Sequence, residues 1–192
     1  MINYPNRKMA KQSEILYGNR GMSFEKEIND SNDYYRVHDI ALIYKKPTPL
    51  QIVKVDYPSR SHAVVREAYF QAPSTTDYNG VYRGKYIDFE AKETSNKTAF
   101  PLRNIHAHQI EHLKKVIDHG GIGFVLIKFT TLDKIFLLDG RILYDIYKQT
   151  RKGGRKSISL KFLLEHGHLV EDKIVYTVDY LKTVDRVYFH ET

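Results

Sequence analysis

Over 86–92 apolar and charged residues alternate, with Ile87, Phe89 and Ala91 apolar and Asp88, Glu90 and Lys92 charged. A period of two marks a β-strand, so the three charged residues share one face of it. Segments 41–44, 51–55, 63–70 and 134–138 also read as strands. Ile122–Phe129 is almost wholly apolar and is predicted to be a central strand. Helical spacing takes over elsewhere. Phe24 and Ile28 mark one face of a helix over about 24–31, with Ser23 as its N-cap. Leu102, Ile105, Gln109, Leu113 and Val116 form the stripe of a second helix over about 104–119, which Gly120-Gly121 ends. Short helices are predicted over 141–148 and 160–166. This order of elements predicts an α/β domain with a central mixed β-sheet flanked by helices.

Two interruptions refine the picture. Arg83-Gly84 reads as a two-residue hairpin loop ahead of the alternating strand, because glycine supplies the positive φ that such turns need. Lys45-Lys46-Pro47-Thr48-Pro49 cannot run inside a central strand, so the chain leaves the sheet there. Segment 45–65, with Lys46, Lys54, Tyr57, Arg60 and His62, is therefore expected to be a projecting stalk suited to phosphate contact and base stacking. Residues 1–20 are polar and unpatterned, and are expected to form a flexible basic arm carrying Arg7, Lys8, Lys11 and Arg20. The rest, 21–192, is expected to be a single domain.

Charge and composition narrow the partners. The 192 residues carry 30 Lys+Arg against 23 Asp+Glu, a formal charge of +7, which points to a polyanion. Lys148, Arg151, Lys152, Arg155, Lys156 and Lys161 cluster with no acid among them, around Gly153-Gly154, and read as a mobile loop between helices. The chain has no cysteine, which excludes disulfides and thiolate zinc sites. It has no apolar run of membrane-spanning length and no apolar leader core, so a cytoplasmic location without membrane contact is expected.

If the hairpin centres on Arg83-Gly84, Asp77 falls opposite Glu90 and Thr75 opposite Lys92. Like charges so placed repel, and a divalent cation bound between them removes the repulsion. Oxygen donors suit Mg²⁺. The pattern reads as a two-carboxylate metal site with a lysine one pleat away. The plainer alternative is a solvated sheet face, on which Asp88 would be either an exposed charge or a further ligand. Glu25 is read first as complementing the dipole of its helix, and second as an extra acid at the metal site. His106, His108 and His112 lack a third ligand of fixed spacing and are expected to be surface residues. Gln109 lies on an apolar stripe, so either a buried hydrogen bond or a contact to the metal site is expected.

Asp77 with Glu90-Ala91-Lys92 resembles the PD-(D/E)xK nuclease core. The strings Asn19-Arg20-Gly21-Met22, Lys45-Lys46-Pro47-Thr48-Pro49, Glu67-Ala68-Tyr69-Phe70, Thr75-Thr76-Asp77-Tyr78-Asn79-Gly80, Tyr86-Ile87-Asp88-Phe89-Glu90-Ala91-Lys92-Glu93-Thr94 and His108-Gln109-Ile110-Glu111-His112 resemble the RecU Holliday junction resolvases of low-GC Gram-positive bacteria and their phages. The usual proline before the first aspartate is Thr76 here, and the N-terminal arm is shorter than in some members.

The resemblance implies a restriction-endonuclease-like core and a homodimer that nicks two opposed strands of a four-way DNA junction in recombination and repair. It implies that Thr75, Asp77, Glu90 and Gln109 hold Mg²⁺, with Mn²⁺ as a substitute, and that Lys92 stabilises charge on the phosphate. It also implies that the stalk enters the junction centre, with Arg60 as a contact. Lys46, Lys54, Arg66, Arg151, Lys152, Arg155 and Lys156 complete the expected DNA-binding set. Recombinase and branch-migration proteins are candidate partners, and the nucleoid is the expected place of action. Two other classes remain open: a nuclease cutting ordinary duplex, and a junction-binding protein without catalysis.

Overall fold

The computed structural model describes residues 23–58, 62–70, 75–171, 173–174 and 177–190. Helix α1 (Phe24–Val37) leads into β1 (Leu42–Lys45), then a pair, β2 (Leu50–Asp56) and β3 (Val64–Phe70). Strands β4 (Tyr78–Tyr82), β5 (Lys85–Thr94) and β6 (Ala99–Pro101) precede α2 (Ala107–Asp118) and β7 (Ile122–Phe129). The chain continues through β8 (Lys134–Asp139), α3 (Gly140–Arg151), β9 (Ser157–Ser159), α4 (Leu160–His166), β10 (His168–Leu169) and α5 (Tyr180–Val184).

Among the described residues the main sheet has the order β1-β4-β5-β7-β8-β10. Its neighbours run antiparallel except β5 and β7, which are parallel, with Glu90 beside Val125 and Lys92 beside Ile127. The fold is α/β with a mixed sheet flanked by helices, as the pattern of elements predicts.

Helices α1 and α5 pack on one face of the sheet, where Phe24, Ile28 and Tyr180 meet Phe89, Phe124 and Leu126. Helices α2, α3 and α4 pack on the other, where Leu113, Leu143 and Leu163 meet Val125, Ile127 and Phe136. The alternation of β5 therefore sends Ile87 and Phe89 into the first core, and Asp88, Glu90 and Lys92 toward α2. Rings of Tyr78, Phe89 and Phe124 stack at centroid distances of 4.9 and 4.8 Å, tying β4, β5 and β7 together behind the charged face. Removing one such buried ring costs about 3–5 kcal/mol. Gly80 lies so close to β1 that a Cβ there would come within 2.0 Å of the Leu42 carbonyl oxygen, so only glycine fits.

Several elements differ from the sequence expectation. Helix α1 runs to Val37, well beyond residue 31, because its buried stripe continues through the polar Ser31 and Asn32 to Tyr35. Both find partners inside: Ser31 donates to the Val178 carbonyl at 2.8 Å, and Asn32 Oδ1 accepts from the Tyr180 hydroxyl at 2.5 Å, while Asn32 Nδ2 is buried with no partner among the described residues. Helix α2 begins at Ala107, after a 3₁₀ turn Leu102–Asn104, and buries Ile110 and Ile117 where Val116 was expected. The basic segment 148–161 is not a loop throughout. Lys148 and Arg151 complete α3, Lys161 belongs to α4, and β9 pairs with β6 in between.

Candidate functional site

Arg83 and Gly84 adopt φ of 49° and 75°, the two positive values of a two-residue turn that matches strand twist. The turn sets the register expected from the sequence, with Tyr78 beside Phe89 and Asn79 beside Asp88. The ladder ends at Tyr78, and the next residue, Asp77, reaches β5 by another bond: its N–H donates to Glu90 Oε2 at 3.0 Å. Gln109 meets the same carboxylate from α2, donating from Nε2 to Glu90 Oε1 at 2.9 Å. Its own Oε1 accepts the His106 N–H at 2.9 Å and closes the N-terminus of α2. Lys92 pairs with Glu90 Oε1 and lies 3.4 Å from Asp77 Oδ2. Thus Asp77, Glu90, Lys92 and Gln109, singled out from the sequence, converge.

The charge balance is uneven. Glu90 has no exposed surface. Burial and then the neighbouring Asp77 carboxylate push its pKa up to about 8, against the opposing pull of Lys92. Burial lowers the Lys92 ammonium, but Glu90 and Asp77 more than offset it and the net shift is upward. Burial, with Glu25, Asp77 and Glu90 nearby, raises the Tyr78 phenol. One lysine thus compensates two facing carboxylates.

That donor set fits a small divalent cation. Asp77 and Glu90 supply hard oxygens with net negative charge between them. Among the described residues no three His, Asp or Glu side chains gather in a metal-holding cluster, so any further ligands must come from other groups, water or substrate. Mg²⁺ is held in that way, by one or two carboxylates with substrate phosphates. Thr75 stands at the rim, where its hydroxyl accepts from Lys46 Nζ at 3.0 Å.

Asp88 is neither an exposed charge nor part of a solvated face; it is 0% exposed. Lys46 Nζ donates to it at 2.7 Å and the Tyr86 hydroxyl at 2.8 Å, with Thr76 Oγ1 bonded to its second oxygen. His112 Nε2 lies 3.1 Å from Asp88 Oδ2, so it is no surface bystander, which corrects the expectation. Only its position on α2 one turn beyond Gln109 could have indicated this. Glu25 lines the same cleft of about 420 Å³ as Lys92, Glu93 and Asn104, and pairs with Lys45 at its edge. Its place in the first turn of α1 fits the dipole reading, while its place in the cleft keeps it beside the charged face.

The expected DNA contacts are spread more widely. Lys54 is exposed on β2, and Arg66 on β3 pairs with Asp56 across the hairpin at 2.6 Å. Arg151, Lys152, Arg155 and Lys156 are exposed at the end of α3 and just after it, with Arg151 over the Tyr147 ring at 5.8 Å. Lys46 differs: its side chain is 14% exposed and its ammonium points inward. Arg60 and the basic arm over 1–20 lie outside the described residues.

Comparison with known proteins adds a family. The model of the family Recombination protein U matches residues 19–186. A protein named Holliday junction resolvase RecU from Bacillus cereus (strain AH820) is 56% identical over 197 aligned positions, which cover 98% of each chain. Proteins of the same name from Bacillus anthracis (strain CDC 684 / NRRL 3495) and Bacillus thuringiensis (strain Al Hakam) match to the same extent.

Proposed function

The chain belongs to the Recombination protein U family, and from that premise we propose that it is a Mg²⁺-dependent endonuclease that resolves four-way DNA junctions by paired symmetric nicks. The observation that supports this most is the pair of carboxylates at the end of the β4–β5 hairpin, Asp77 bonded through its N–H to Glu90, with Lys92 against both.

Asp77 and Glu90 would hold the cation, with Thr75 and Gln109 completing its surroundings. When bound, Mg²⁺ supplies Lewis acidity toward the scissile phosphate and makes water more acidic. Lys92 places positive charge where the transition state gathers negative charge. Gln109 fixes the Glu90 carboxylate through Oε1 and so limits which oxygen lone pairs face the substrate. Lys54 and Arg66 on the hairpin, with the α3 cluster, bind backbone phosphates, so binding weakens as salt rises. Two such sites in a homodimer face two equivalent strands, which gives paired cuts. Selectivity for a junction then rests on shape more than base identity. The protein acts in the cytoplasm, on recombination intermediates.

A supercoiled plasmid that extrudes a cruciform tests the proposal. Coordinated nicks across the cruciform convert it to linear DNA with ligatable ends. Accumulation of open circles without linear product would indicate uncoordinated nicking, and degradation of relaxed plasmid would indicate a duplex nuclease.

A further inference from the structure

Hairpin β2–β3 is joined to the rest of the chain by two feet, 46–49 before it and, among the described residues, 75–77 after it. Lys46 stands at the base of the first foot and touches the second. Its backbone N–H donates to the Asp77 carbonyl at 2.8 Å. Its ammonium donates to Thr75 Oγ1 at 3.0 Å and Thr76 Oγ1 at 2.6 Å, and to Asp88 Oδ2 at 2.7 Å. Asp88 is fixed in turn by Tyr86 from its own strand and faced by His112 from α2.

Thr75, Thr76 and Asp77 lie beyond the β4–β5 ladder, so pairing with β5 does not position them, although the Lys46 N–H to Asp77 carbonyl bond continues the pairing with β1 by one residue. A partly buried lysine whose ammonium is turned inward is poorly placed to bind a phosphate, and a cation held by one carboxylate and two hydroxyls acts as a fastener. We infer that Lys46, with Asp88 as its anchor, is a positioning residue that clamps both feet of the hairpin to β5 and thereby sets the Asp77 carboxylate against Glu90. This rests on the proposed site and adds a route by which a hairpin seated on DNA is coupled to that site.

The test compares Lys46→Met, Asp88→Asn and the double variant in the full-length protein. In Ca²⁺ or EDTA, junction affinity should stay within about two-fold of the parent, whereas a phosphate contact would lose affinity and salt slope. Under saturating protein, the single-turnover nicking rate should fall about 10²-fold and the half-saturating Mg²⁺ concentration should rise. The double variant should be no worse than the poorer single variant, because both remove one clamp. Without metal, hydrogen exchange should quicken about ten-fold or more over 75–78 and remain unchanged over Ile122–Phe129.

Lost affinity with normal nicking at saturation would make Lys46 a DNA contact and overturn the inference. So would unchanged exchange over 75–78, or additive effects of the two substitutions. If a single variant fails to fold, the exchange comparison on Thr75→Val, which removes the most exposed arm of the clamp, decides instead. Failure of the parent protein to cut any junction would instead count against the nuclease proposal and leave the exchange result standing.

Discussion

Gln109 touches Glu90 with one end of its carboxamide and caps α2 with the other, so a single side chain links the start of a helix to the buried carboxylate. Gln109→Ala removes both bonds and leaves a buried acceptor short of a donor, at a cost of about 1–3 kcal/mol. Nicking at limiting Mg²⁺ is expected to fall about 10–100-fold. A Mg²⁺ titration of nicking, beside thermal melting, separates the two effects. Lost stability without a change in Mg²⁺ dependence would confine Gln109 to capping.

Lys92→Met is expected to lower single-turnover nicking about 10²–10³-fold while junction binding persists. Lys92 is the cation in contact with both carboxylates, so Glu90 should also titrate at higher pH in the variant. Binding by gel shift in Ca²⁺ and nicking in Mg²⁺ give the two readings. Equal losses in both would make Lys92 a binding residue.

Metal-free stability should depend on pH through Glu90. Its pKa rises on folding from an ordinary 4.5 to about 8, so the folded state holds the proton more tightly than the unfolded state. That contribution is full below the unfolded value and is lost as pH climbs through the folded one. In EDTA the parent should therefore lose melting temperature relative to Glu90→Gln between about pH 5 and pH 8, and Mg²⁺ should reverse the loss. Parallel pH profiles for the two proteins would contradict this.

Salt dependence should sort the basic residues. Lys54→Ala and Arg155→Ala should each reduce the slope of log affinity against log salt by about 1. Arg66→Ala should reduce it less, because Arg66 already pairs with Asp56. Filter binding across a salt series checks both.

Much of the site was visible in the sequence because a two-residue turn and a period-two strand leave little freedom. Arg83-Gly84 fixed the register, and the register brought Asp77 to Glu90. Gln109 stood out as a polar residue on an apolar stripe. The Asp88 network was hidden, since Lys46, Thr76, Tyr86 and His112 come from separate segments and meet only through tertiary packing. Lys46 looked like surface charge because lysine usually is. The length of α1 was masked by Ser31 and Asn32, whose partners near residues 178–180 no local pattern announces. Strand β9 has no local signature, because three residues between basic neighbours carry too little periodicity.

The central claim is that Asp77 and Glu90 hold the metal that drives paired cleavage of a four-way junction. An end-labelled synthetic junction, incubated with parent protein or Asp77→Ala, in Mg²⁺ or EDTA, tests it most directly. The account predicts symmetric nicks on two opposed strands that require both Mg²⁺ and Asp77, with linear duplex spared. Cleavage that survives Asp77→Ala, or tight junction binding with no cleavage by the parent in any divalent metal, would contradict it.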